Sequence, residues 1–323
     1  MTIDKNILTY EEQAVFTLRS LYSQYGYERY KMSRFEEYDL YVRNKDFLVS
    51  DDVITFTDRT GRLMALKPDV TLSIIKNTTY LKGQVQKLYY DENVYRVPEG
   101  SNSFKEIMQA GLECVGDLEP KDIAEVVVLA AKSLKLLSTK FVLDVSHMGL
   151  VSALLESSGL PQSAKKSALR CMTEKNAHEL SALCKAEDAD ATKLLAVMNA
   201  VGTPEAVLPQ LKGILSTEDE LKAYDELSQM CEILKNTGHG ESVQLDFSVC
   251  NNLKYYSGVV FKGYVDGIPT GILSGGQYDA LLKKMGNPSK AIGFAIYVDM
   301  LQDMERVQAN KDYLEGLIGE ING

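Results

Sequence analysis

No stretch of the sequence is apolar for long enough to cross a bilayer, which takes about 20 residues, and the mean hydropathy is −0.15. The opening Met1-Thr2-Ile3-Asp4-Lys5 lacks the charged-then-apolar pattern of a secretory leader. Both absences predict a cytoplasmic chain without membrane contact. Five cysteines (Cys114, Cys171, Cys184, Cys231 and Cys250) are scattered, odd in number and never spaced as CxxC. A disulfide framework and a zinc site are therefore not expected; buried, reduced thiols are. Three histidines, His147, His178 and His239, leave little for a histidine-based metal centre. Neither GxGxxG nor a P-loop run occurs, so a Rossmann or P-loop nucleotide site has no support. Positive charge is also short: 35 Lys and Arg stand against 45 Asp and Glu, a formal net charge of −10. Phosphate binding rests on clustered Lys and Arg, so no extensive nucleic-acid face is expected, only room for a local basic patch. No repeat or low-complexity tract is present.

What is present is a core-forming chain of 323 residues, 45% of them hydrophobic, a length that fits about two domains. Thr9-x-x-Glu12 is a capping box, followed by Val15, Leu18, Leu21, Tyr22 and Tyr25 on one helical face and Gly26 as a stop. Val53 to Phe56 and Arg62 to Leu66 read as strands around an Asp58-Arg59-Thr60-Gly61 turn. Leu88 to Val97 and Phe104 to Gly116 read as a longer antiparallel pair. Ile123 to Leu137 is a helix after Pro120, and Phe141 to Val145 a strand. From Met148 to Asn236 no strand pattern persists. Thr203-Pro204-Glu205 and the capping box Thr217-x-x-Glu220 start helices there. Alternation returns over Val243 to Val249, Tyr256 to Tyr264 and Thr270 to Ser274. Strands joined mostly by hairpins predict an α+β domain, an antiparallel sheet with helices on one face.

Several polar residues can share a pocket on this sheet. Asp69 and Thr71 follow Pro68, and Gln109 and Glu113 lie four apart on one strand, hence on one face. By pattern alone the commoner reading is an exposed strand face, which shows the same alternation.

Three segments carry a resemblance that shifts that balance. Leu253-Lys254-Tyr255-Tyr256-Ser257-Gly258, Ser274-Gly275-Gly276-Gln277-Tyr278-Asp279 and Ala291-Ile292-Gly293-Phe294-Ala295-Ile296-Tyr297-Val298-Asp299-Met300 resemble the histidine-specific motif and motif 3 of class II histidyl-tRNA synthetases. Leu66-Lys67-Pro68-Asp69-Val70-Thr71 looks like their Arg-Pro-Glu-Gly-Thr segment, and Gln109 to Gly116 is similar to the end of their motif 2. The resemblance implies that Asp69 and Thr71 hold a substrate α-ammonium and that Gln109 meets the amino and carboxylate region. It also implies that Glu113 contacts an imidazole whose other nitrogen faces Tyr256, paired with Tyr255. A carboxylate and a hydroxyl on the two nitrogens would read the ring's shape and tautomer. Motif 1 is matched only by Ser33-Arg34-Phe35-Glu36, without its usual proline.

The departures fall where the synthetases carry cations for ATP, whose charge stabilises the transition state. Arg96 matches the motif 2 arginine, but Pro98 stands at the usual acid, and the loop arginine is replaced within Glu99 to Ser103. Asn251, Gln277 and Met300 stand at three further arginine positions, and Tyr297 at a glycine, where its ring can fill the adenine's space. The resemblance covers most of residues 9 to 146 and 243 to 302.

A synthetase-like chain with a histidine pocket and no ATP site resembles the regulatory subunits of ATP phosphoribosyltransferase. That family stimulates a short catalytic subunit at the first step of histidine biosynthesis and transmits feedback inhibition by L-histidine. The resemblance implies a class II synthetase-like core over 1–147 and 241–323, a helical insertion over 148–240 and no anticodon-binding domain. It also implies a self-dimer within a hetero-octamer with the catalytic subunit, no tRNA, and no cofactor or metal. Arg96, Lys254 or backbone amides are the candidates for the ligand carboxylate. Two rival readings are a truncated synthetase that still forms an adenylate and a scaffold indifferent to histidine.

Overall fold

The computed structural model describes residues 7–48, 52–79, 81–97, 102–238, 240–250 and 255–302. Helix α1 (Tyr10–Gln24) starts at the expected capping box: Thr9 Oγ1 accepts the Glu12 amide at 3.3 Å and Glu12 Oε2 accepts the Thr9 amide at 2.9 Å. Gly26 ends it at φ +79°, a conformation that favours glycine.

The sheet is built on a hairpin of two twelve-residue strands, β5 (Val85–Arg96) and β6 (Lys105–Gly116), in register from Val85↔Gly116 to Arg96↔Lys105. Next to β6 come β12 (Lys290–Tyr297), β11 (Leu273–Gln277), β10 (Val259–Val265) and β7 (Phe141–His147), all antiparallel. The edges differ. β9 (Val243–Asp246) joins β7 in parallel, the two-residue β8 (Val201–Gly202) pairs with β9, and β1 (Glu28–Arg29) pairs with β5 in parallel. The order is β1-β5-β6-β12-β11-β10-β7-β9-β8.

Helices cover both faces of this sheet, not one. Ala110, Leu112 and Cys114 of β6 point into a core shared with α1 and α4 (Pro120–Leu137), through Leu18, Val126 and Leu129. Val115, one position out of phase, belongs to a second cluster on the opposite face. There it meets Tyr41 of α2 (Tyr38–Arg43), Leu72 and Ile75 of α3 (Thr71–Asn77) and Leu281 of α11 (Asp279–Lys284). Helices of six or seven residues are too short to show a 3.6-residue period, which is why the second layer was not legible. A small sheet, β2 (Phe35–Glu37), β4 (Leu63–Leu66) and β3 (Thr55–Thr57), adjoins this layer. Its hairpin turn is the expected one, with Asp58 Oδ1 accepting the Thr60 and Arg62 amides at 2.8 and 2.9 Å.

The run after β7 is helical as expected: α5 (Met148–Ser157), α6 (Gln162–Thr173), α7 (Ala177–Ala186), α8 (Thr192–Asn199), α9 (Pro204–Lys212) and α10 (Glu218–Asn236), interrupted only by β8. Its apolar residues, such as Leu154, Leu169 and Leu227, continue the α1–α4 core. The strand expected over Val243 to Val249 is cut short because Asp246 accepts the Ser248 amide at 2.9 Å and turns the chain. The one expected over Thr270 to Ser274 is displaced to Leu273–Gln277. Gly275 and Gly276 carry no strand propensity but let Phe294 and Tyr256 lie against the backbone. All five cysteines are free and buried. None of the described helices is long and apolar enough to cross a membrane.

Candidate functional site

Glu113 stands three residues before the end of β6 on the face away from α1 and α4, 2% exposed. Its Oε1 accepts the Thr71 hydroxyl at 2.8 Å, and its Oε2 accepts the Tyr278 hydroxyl. The carboxyl rests on Gly293 of β12, directly across the ladder, where any Cβ would collide with it. Burial pushes the Glu113 pKa up to about 8; the two hydroxyl donors oppose the rise and the charge of Asp69 adds to it.

Thr71 and Asp69 are not on a strand. Thr71 is the first residue of α3, and Asp69 Oδ1 accepts the Leu72 amide at 2.9 Å, so the aspartate caps the helix that delivers the threonine. Burial raises the Asp69 pKa, with the helix amides and the charge of Arg96 opposing it. Arg96 ends β5 and is 6% exposed; its Nη2 donates to Tyr297 Oη at 3.3 Å, and its guanidinium sits 5.7 Å from that ring's centroid. Gln109 pairs with Tyr297 across the β6–β12 ladder. Tyr255 and Tyr256 form an edge-to-face pair 4.7 Å apart, and Tyr255 also packs on Tyr278 at 5.9 Å. Tyr256 lies over Gly276, where a Cβ would come within 2.7 Å of its ring. Burial pushes both tyrosine hydroxyls up, Thr71 opposing for Tyr255 and Ser274 for Tyr256.

The structure thus brings Asp69, Thr71, Glu113, Tyr255 and Tyr256 together, with Gln109 and Arg96 on the Tyr297 side. Three participants were not picked out from sequence. Tyr278 was legible as part of Gly-Gly-Gln-Tyr-Asp but its bond to Glu113 was not. Tyr90 of β5, 2% exposed, lays its hydroxyl over Gly111 by register alone. Lys67 is wholly buried and bonded to Glu92 at 2.7 Å, opposite Gln109. Gln277 donates to Asp279 Oδ2 at 2.7 Å and is packed on Gly258. Asn251, Lys254, His239 and residues 98–101 lie outside the described residues. A site with one buried and one half-buried carboxyl, several hydroxyls and one arginine favours a small ligand that carries an ammonium and N–H donors.

A family model described as histidyl-tRNA synthetase matches residues 6–301. The ATP phosphoribosyltransferase regulatory subunit of Clostridium kluyveri is 30% identical over 294 residues, 87% of this chain and 74% of that relative. The chain belongs to the histidyl-tRNA synthetase-like family of ATP phosphoribosyltransferase regulatory subunits. Among solved structures of this family, the ATP phosphoribosyltransferase regulatory subunit/histidyl-tRNA synthetase from Bacillus halodurans is similar with a TM-score of 0.79 at 26% identity, over 91% of this chain and 78% of that one. An ATP phosphoribosyl transferase complex from Thermotoga maritima shares the fold, with a TM-score of 0.71 at 20% identity over 92% of this chain and 97% of that one.

Proposed function

We propose that this regulatory subunit is a histidine sensor: it binds free L-histidine, performs no chemistry on it, and passes its occupancy to a short-form ATP phosphoribosyltransferase catalytic subunit, which it also activates. In this reading residues 1–147 and 241–323 are the synthetase-like core, and 148–240 are a helical insertion. The assembly is a self-dimer within a hetero-octamer. Asp69 and Thr71 receive the α-ammonium, Gln109 and Arg96 the carboxylate end, and Glu113 and Tyr256 the two imidazole nitrogens. The observation that carries the reading is the Glu113 clamp, a buried carboxyl fixed by Thr71 and Tyr278. A purely structural core gains little from such a group, since burial opposes its ionisation even with both hydroxyl donors in place and an apolar side chain would fill the space without that cost.

Loss of ATP chemistry is supported by Gln277 and Met300 at synthetase arginine positions and by Tyr297 against Arg96, the one cation that matches. Feedback then follows from linkage: histidine inhibits by binding one state of the assembly more tightly, with a coupling of about 1–3 kcal/mol. Calorimetry on the isolated chain should show L-histidine binding, and an ATP–pyrophosphate exchange assay should show no histidine-dependent exchange. Exchange at synthetase rates would establish the truncated synthetase instead. Absence of histidine binding would leave the scaffold.

A further inference from the structure

His147 ends β7 and opens α5. It is 2% exposed, and its Nδ1 accepts the Leu150 amide at 3.2 Å, so the imidazole caps the helix. A ring nitrogen that accepts leaves the proton of the neutral imidazole on the other nitrogen. That nitrogen, Nε2, lies 3.2 Å from Oε2 of Glu226 on α10 at an angle that makes no hydrogen bond, so the carboxylate acts on the imidazole as a nearby charge. One residue further, the Met148 amide donates to Gly258 O at 2.7 Å. Gly258 closes the turn that carries Tyr255 and Tyr256. Within it, the Ser257 amide donates to Gln277 O at 2.8 Å, and the Ser257 hydroxyl accepts the Asp279 amide at 3.2 Å. Gly149 is packed between the His147 ring and Ser257 O. A close approach of the Glu226 carboxylate to His147 is thus followed by hydrogen bonds from the His147 ring and the start of α5 to the tyrosine turn. Glu226 itself is 53% exposed and stands on a helix of the 148–236 run, outside the pocket.

We propose that His147 is a positioning residue for the tyrosine turn and that Glu226 sets how firmly it holds. The helical run thereby tunes ligand affinity from outside the pocket. The affinity part rests on the histidine-sensor reading; the backbone part does not.

The test uses the full chain with Glu226→Ala and His147→Asn. Alanine suits an exposed helix position, and asparagine can keep the acceptor that caps α5 while losing the reach to Glu226. In unliganded protein, hydrogen exchange should quicken at the Met148 and Ser257 amides in both variants, with the thermal midpoint unchanged. L-Histidine affinity should fall roughly tenfold. Adding Glu226→Ala to His147→Asn should change neither further. Unchanged exchange at those amides, or affinity that merely tracks a lowered thermal midpoint, overturns the proposal. Faster exchange in a protein whose wild type ignores histidine would retain the positioning role and reject the sensor.

Discussion

Glu113 is a carboxyl group made expensive to ionise by its surroundings, and its chemistry follows from that. With a folded pKa of about 8 against an ordinary 4.5, it is mostly protonated at neutral pH. A ligand N–H that donates to the carboxylate must displace that proton. Between about pH 6.5 and 8, where the ligand keeps its α-ammonium, histidine affinity should therefore rise with pH, as calorimetry across that range would read; Glu113→Gln should flatten the rise. The same shift bears on stability with a definite sign. A folded pKa raised above the unfolded value contributes stability that is present below 4.5 and lost as pH rises toward 8. Urea midpoints should accordingly fall less with pH in Glu113→Gln than in wild type. Glu113→Ala should cost about 1–3 kcal/mol of binding by removing one partner of a buried hydrogen bond, and unchanged affinity would assign the imidazole to another group.

At the scale of elements, the proposed site depends on places where two strands or rings approach closely. Gly276 of β11 is one: a Cβ there would lie 2.7 Å from the Tyr256 ring and 2.8 Å from Val259 O. Gly276→Ala should displace Tyr256 and weaken histidine binding more than it lowers the thermal midpoint; equal affinity in the variant would remove Tyr256 from the site. The β5–β6 hairpin was legible because alternation over a dozen residues is a strong signal. The Gly275–Gly276 stretch was not, because its reason for being a strand is a neighbour's bulk rather than its own propensity. α3 was missed for a related reason. Asp69 and Thr71 were expected together, but Asp69 caps a seven-residue helix, and only the helix start turns Thr71 toward Glu113.

For the whole molecule, mixing the chain with a short-form ATP phosphoribosyltransferase catalytic subunit should give a larger assembly by light scattering. Its activity should be raised by the chain and lowered by L-histidine. Glu113→Ala should assemble and stimulate normally yet lose most of the inhibition; failure to assemble would place the fault in the partner reading, not in the pocket. The sequence by itself determined the family and the α+β class and pointed to the residues proposed for the site, since motif spacing and hydrophobic period are local quantities written along the chain. Only the tertiary structure decided that both sheet faces are covered, that Tyr278 bonds Glu113 and that Tyr90 lies over Gly111. It alone also placed the Glu113 carboxyl against Gly293. These are register and packing facts, in which residues 165 or 180 positions apart meet, and no local pattern encodes which distant side chain will share a buried proton.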